Sequence, residues 1–193
     1  MVFEEIQHRI YREILAKLPQ HLTYHNLGHT AYVLDQVIFL AKVSDVSEAD
    51  LHLLKLAALF HDTGFIDNPK DHEEKGCKIA ESYLSDAYSG EELEKIYGMI
   101  MATKIPQSPK TLLEDILADA DLEYLGTDLF EKIGDTLFEE LRYFTPGFNE
   151  QAWSELQLEF MQKHHFHTEY CQKYREPKKQ ANLLLVKKSL GLV

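Results

Sequence analysis

The sequence predicts an all-α protein, and three observations carry the prediction. Apolar residues recur at the helical period along most of the chain. No stretch reads convincingly as a strand. Proline, glycine and Ser/Asn capping signals cut the chain into helix-length pieces. One piece, residues 51–60 (LHLLKLAALF), has almost no polar face and is expected at the centre of a helical bundle.

In chain order, Phe3, Ile6, Ile10, Ile14 and Leu18 mark a first helix that Pro19 stops. A loop from Gln20 to Leu27 carries Tyr24, His25 and Asn26. The next helix runs from Gly28 to Val43 with Val33, Val37, Leu40 and Ala41 inward. Ser47 and Asp50 read as a capping pair that opens the central helix, and Gly64 breaks it. Asn68-Pro69 marks a turn in the loop Ile66 to Asp71, and His72 to Ala87 is a helix with Ile79, Ala80, Tyr83 and Leu84 on its apolar stripe. Ser89 and Glu92 form a capping box for a helix that Pro106 ends. Ser108-Pro109 is expected to open the next one, which reaches Gly126 through Asp119-Ala120-Asp121. Ile133, Leu137 and Leu141 mark another, Asn149 caps one holding Trp153 and Phe160, and the last starts at Pro177.

A length of 193 residues fits one domain with a proper core. The formal net charge of -12 argues against a nucleic-acid polymer as partner, since no basic face is to be expected. It leaves room for a nucleotide, because a bound cation can dominate the field of its own pocket. Cys77 and Cys171 are the only cysteines, with no Cys-x-x-Cys, so a reduced, cytoplasmic setting without a disulfide is expected. Met1 to Ile10 mixes charges and does not read as a leader, and no apolar run approaches the roughly 20 residues of a membrane span.

His61 and Asp62 sit at the end of the apolar central helix, where burying them is costly unless something pairs with them. A bound cation answers that need. Two more segments offer ligands: Tyr24 to His29 (YHNLGH), with its two imidazoles about one helical turn apart, and Asp119-Ala120-Asp121. Imidazoles and carboxylates together suit manganese, magnesium, cobalt, iron, zinc or nickel and disfavour copper(I) or an iron–sulfur cluster.

The order H…HD…D resembles the HD-domain metal-dependent phosphohydrolase superfamily, and YHNLGH is similar to the YHNxxH motif of cyclic-nucleotide phosphodiesterases. FHDTGF followed by Asp71-His72-Glu73-Glu74, with Ala102-Thr103-Lys104 and DADLEYLG at Asp119 to Gly126, resembles a subfamily of small predicted HD phosphohydrolases. The resemblance implies a single helical domain over 1–193, with a metal-site core at about 20–126 and helices of 127–193 completing the pocket. It implies His29, His61, Asp62 and Asp121 as ligands of one divalent cation, with room for a second, and His25 as the acid toward the leaving oxygen. Asp119 is the fallback ligand or a partner that fixes a ligand imidazole. His72 and Lys104 are candidates for a second metal or for substrate phosphate.

The implied activity is hydrolysis of a phosphomonoester or phosphodiester, a nucleotide by preference, by a monomer or homodimer that binds no membrane. Two alternatives stand beside it. A di-iron oxygenase of the same superfamily needs extra histidines between the HD pair and the final aspartate, and only His72 lies there. A non-catalytic nucleotide sensor would not need both a ligand set and an acid. Each residue also has a plain structural reading. His72 can face water at a helix start, Lys104 can be solvated, and His164, His165 and His167 are expected at the surface rather than on a metal. Lys178 and Lys179 are expected to be solvated, and nothing orients Arg142 or Arg175 toward a substrate.

Overall fold

The computed structural model describes residues 2–193, and among them every regular element is helical. Ten α-helices follow in order: α1 Phe3–Glu13, α2 Leu27–Val43, α3 Glu48–Phe60, α4 His72–Leu84, α5 Gly90–Ala102, α6 Leu112–Leu122, α7 Phe130–Phe144, α8 Glu150–Lys163, α9 Glu169–Tyr174 and α10 Glu176–Ser189. Tight 3-10 turns lie at Leu15–Lys17, Thr63–Ile66 and Glu123–Gly126. The chain divides into two compact units, residues 1–121 and 122–193, with the division at the end of α6.

In the first unit α3 is the axis. Leu54, Leu56, Ala57, Ala58, Leu59 and Phe60 are wholly inaccessible to solvent, and α1, α2, α4 and α5 pack around the helix. Its start is the expected one: Ser47 accepts the Asp50 backbone N–H at 3.1 Å. The Ser89/Glu92 capping box of α5 also forms, with each side chain bonded to the other residue's backbone N–H.

Several boundaries differ from the sequence reading: α4 stops at Leu84 rather than Ala87 and α6 at Leu122 rather than Gly126, and two more have a visible cause. The first helix ends at Glu13 and tightens into the 3-10 turn, which brings Ile14 and Leu15 both inside. The helix expected from Pro109 starts at Leu112. Thr111 Oγ1 accepts the Glu114 N–H at 3.3 Å while the Glu114 carboxylate accepts the Lys110 N–H at 2.7 Å, a pair of capping bonds that outcompetes the proline signal.

In the second unit, α10 packs on α8, α9 and the Glu123–Gly126 turn. Gly126 is required there, since a methyl group in its place would lie 2.5 Å from the Arg175 carbonyl. Asn182 ties the same turn to α10 by donating to the carbonyls of Leu125 and Thr127 at 2.9 and 3.0 Å. Helix α9 lies outside the sequence expectation because its six residues are too few to show a period.

Lys179 corrects another expectation. Instead of being solvated it is 1% exposed. Its ammonium donates to the His164 carbonyl at 2.6 Å, lies 2.8 Å from Glu176 and sits over the Phe166 ring at 5.2 Å. The ammonium also lies 3.3 Å from His164 Nδ1, so this ring nitrogen faces a positive charge and is no metal ligand. Arg175 is held by Glu123 in an ion pair.

Candidate metal centre

Three elements of the first unit deliver the site. At the start of α2, Asn26 is the cap: its carbonyl oxygen accepts the N–H groups of Gly28 and His29 at 2.8 and 3.3 Å. Its amide donates back to the Thr23 carbonyl at 2.7 Å, which braces the loop that carries His25. His29 then lies in the first turn of α2 and is buried. At the other end of α3, His61 and Asp62 follow Phe60 directly, and Thr63 fixes the turn by donating to the Phe60 carbonyl at 2.7 Å. Asp121 comes from the last turn of α6.

The side chains converge. His29 Nε2 lies 2.9 Å from Asp121 Oδ1, 3.3 Å from Asp62 Oδ2 and 3.4 Å from His61 Nε2. His61 Nε2 lies 3.2 Å from Asp62 Oδ2 and 3.5 Å from Asp121 Oδ1. Among the described residues, His29, His61 and Asp121 are the group whose ligand atoms all fall within 4.8 Å of one another.

A divalent cation fits this set. His61 Nδ1 lies 2.8 Å from the Ala58 carbonyl, which can only accept, so Nδ1 holds the ring proton and the neutral ring turns a bare Nε2 inward. Asp62 Oδ2 is buried without a hydrogen-bond partner. The bare Nε2 of His61 and the unpartnered Oδ2 of Asp62 thus present lone pairs to one space, beside a His29 Nε2 that lies 2.9 Å from Asp121 Oδ1. Ligands bonded to one ion at about 2.0–2.2 Å span about 2.8–3.6 Å between themselves across octahedral and tetrahedral angles, which covers the distances seen.

The electrostatics agree. Burial disfavours a charged His61, yet Asp62 and Asp121 outweigh it and hold the imidazole well above its ordinary range. Burial likewise opposes ionisation of Asp62 and Asp121, but the facing imidazoles push both carboxyls below the usual carboxylate range. The pocket therefore demands positive charge at its centre, as a proton or as a metal ion.

The remaining sequence candidates separate around this centre. Asp119 is fully buried, and two residues along a helix place it roughly 200° around α6 from Asp121. His25 is half-buried and stacks on Phe65 at 3.9 Å with 17° between the planes, its ring 6.1 Å from that of His29. The His72 ring also lies against Phe65, 4.2 Å from it and 6.1 Å from His25, with Nε2 3.5 Å from Asp62 Oδ1. Lys104, offered by the sequence as a phosphate contact, pairs with Glu74 at short range and lies 3.8 Å from Asp71.

Sequence reasoning gave Gly76 no role, took Gly64 only as a helix breaker, and named Phe65 and Glu73 only within the motifs FHDTGF and Asp71-His72-Glu73-Glu74. Phe65 shows its role only through its two imidazole neighbours. The glycines had a visible signal, because Gly76 lies inside a helix where glycine is disfavoured. A methyl on Gly64 would lie 2.0 Å from the His72 carbonyl oxygen, and one on Gly76 would lie 2.9 Å from that of Phe60. These two close approaches seat the start of α4 against the HD pair.

The family model described as HD domain matches residues 25–123, just over half of the chain. The fold is shared with a crystal structure of a predicted HD superfamily hydrolase from an uncultured Thermotogales bacterium. That protein is 20% identical, with a TM-score of 0.59 over 99% of this chain and 98% of the other. A comparison with curated proteins finds no match.

Proposed function

The chain belongs to the HD-domain family, and from that premise we propose that it is a metal-dependent phosphohydrolase cleaving a phosphomonoester or phosphodiester, a nucleotide in particular. The observation that supports this most is the convergence of His29, His61, Asp62 and Asp121 around a buried carboxylate oxygen that has no hydrogen-bond donor. In this reading those four side chains hold one divalent cation. When bound, the cation acidifies water and offsets negative charge on phosphate oxygens.

The chain's own residues supply the rest. His61, fixed through Nδ1 by Ala58, and His29, fixed by the Asn26-capped turn, present their Nε2 atoms without needing to rearrange. Asp62 and Asp121 stay anionic down to low pH, because their carboxyls are held below the ordinary range. His25 is half-buried and flattened against Phe65, which suits a proton donor to the leaving oxygen. Lys104 is engaged by Glu74 and Asp71, so this reading gives the phosphate no dedicated lysine and leaves its charge to the cation and the imidazoles.

The test is phosphate or nucleotide release by the full chain loaded with manganese, cobalt or magnesium. The panel runs over nucleoside phosphates, cyclic nucleotides and bis-p-nitrophenyl phosphate. Turnover that disappears in His29→Ala and Asp121→Ala supports the reading. A chain that retains its metal yet hydrolyses nothing on the panel sinks it.

A further inference from the structure

We propose that α2 is the seam of a homodimer, in which the exposed face of this helix packs antiparallel on the same face of a second copy.

The composition of α2 is unusual for a surface helix. Its 17 residues, Leu27–Val43, hold a single acid, Asp35, and a single base, Lys42. A helix that is apolar almost all round is ordinarily buried on every side. Within the chain α2 packs chiefly on α3, and its Val33, Leu34, Val37, Leu40 and Ala41 are buried. The other side is open. Leu27, Ile38, Phe39 and Val43 are each 37–44% exposed, where a helix at the surface normally turns charged side chains to water.

The two charges say what covers this side. Asp35, Ile38, Phe39 and Lys42 fall within an arc of roughly 100° around the helix, and all four are exposed. Asp35 and Lys42 lie about 10 Å apart along the axis, too far to pair with each other. A two-fold axis passing between Ile38 and Phe39 gives each of them a partner. It sets Ile38 of one copy against Phe39 of the other, and the same register sets Asp35 of each copy against Lys42 of the other. The contact is self-complementary, as a two-fold interface must be. Apolar pairs occupy its centre, and the two ion pairs flank them and fix the register.

Net charge favours the same face. A formal charge of -12 opposes contact between copies, whereas along α2 acid and base cancel. The seam is one helix about 25 Å long, less than the roughly 800 Å² per partner of a standard interface requires, so the dimer belongs to the small, dissociable class. His29 lies roughly 120° around the helix from Asp35, so substitutions on the seam leave the ligand set in place.

The test is sedimentation velocity on the full chain across the micromolar range. The expected result is a reversible monomer–dimer equilibrium that Ile38→Glu abolishes. Asp35→Lys and Lys42→Asp each bring two like-charge contacts into the seam and should weaken the dimer roughly tenfold or more. Combining the two reversals in one chain should restore it. The two single variants, when mixed, should associate with each other more tightly than either does with itself. Thermal melting checks that every variant is folded, and the charge reversals decide the matter if Ile38→Glu is not. A chain that stays monomeric throughout the range overturns the proposal. A dimer indifferent to Ile38→Glu has its interface elsewhere and overturns it too, as does one that the combined reversal fails to restore.

Discussion

At the residue scale the sharpest expectation separates two aspartates of one helix. Asp121→Ala should abolish binding of a divalent ion at the centre, because it removes the carboxylate 2.9 Å from His29. Asp119→Ala should lower stability while metal remains bound at saturation, since that residue is buried on another face of α6. Elemental analysis of the two purified variants checks this, and the reverse pattern would move the ligand to Asp119. His25→Ala should keep its metal and lose roughly 10²–10⁴-fold in turnover, the usual worth of a positioned acid. The loss should shrink for p-nitrophenyl esters, whose leaving group needs no proton.

The titration of the centre gives a signed dependence on pH. Asp62 and Asp121 have lowered values, so their contribution to stability is complete above about pH 4 and fades as the pH falls through those values. His61 has a raised value, so its contribution in the metal-free chain is complete below about pH 6.5 and fades as the pH climbs through the raised value. Metal-free protein should therefore melt lower on the alkaline side. Metal binding runs the other way, because the proton must leave Nε2 first. Calorimetry at pH 6 and pH 8 should find tighter binding at pH 8, and equal affinities would contradict the assignment of His61. All four residues of this centre were legible as residue types in an ordered pattern. The pairing of Lys104 was not, because a lysine two residues before a proline looks the same whether a substrate or Glu74 receives it.

At the element scale the helices were legible wherever the apolar period was long or the cap was strong, as for α3 behind Ser47 and α5 behind Ser89. Boundaries failed where two signals competed. Pro109 lost to the capping bonds that Thr111 and Glu114 make, and α1 gave way to a 3-10 turn that buries one more apolar residue. Lys179 was misjudged because burial of a lysine depends on acceptors fifteen residues away, which no local pattern reveals. The element contacts yield a further expectation. Gly64→Ala drives a methyl into backbone, which cannot rotate aside, and should cost about 1–3 kcal/mol, the usual price of overpacking. Gly76→Ala meets the Phe60 carbonyl less severely, and about 1 kcal/mol of helix propensity offsets the strain. Thermal melts should rank Gly64→Ala as the more damaging, with His72 displaced.

At the scale of the whole molecule charge is the dominant variable. A chain with a formal net charge of -12 would repel the proposed phosphate ester before a bound cation could attract it. Salt shortens the reach of that repulsion, to about 8 Å at physiological ionic strength. The kcat/KM for a nucleotide should therefore rise several-fold as salt increases from low to physiological levels, while a neutral ester shows no such trend. No helix among the described residues is long and apolar enough to cross a membrane.

Helix α3 has one more consequence. It is the axis of its unit, and the paired His61 and Asp62 follow its last turn without a linker. Unravelling that helix and dismantling the cage are then one event, so an ion bound there would act as a clamp on folding. By mass action each tenfold excess of free cation over its dissociation constant adds about 1.4 kcal/mol to the folded state. A chelator should accordingly loosen residues 1–121 as a body, and the availability of divalent ions would govern how long the protein survives as well as how fast it works.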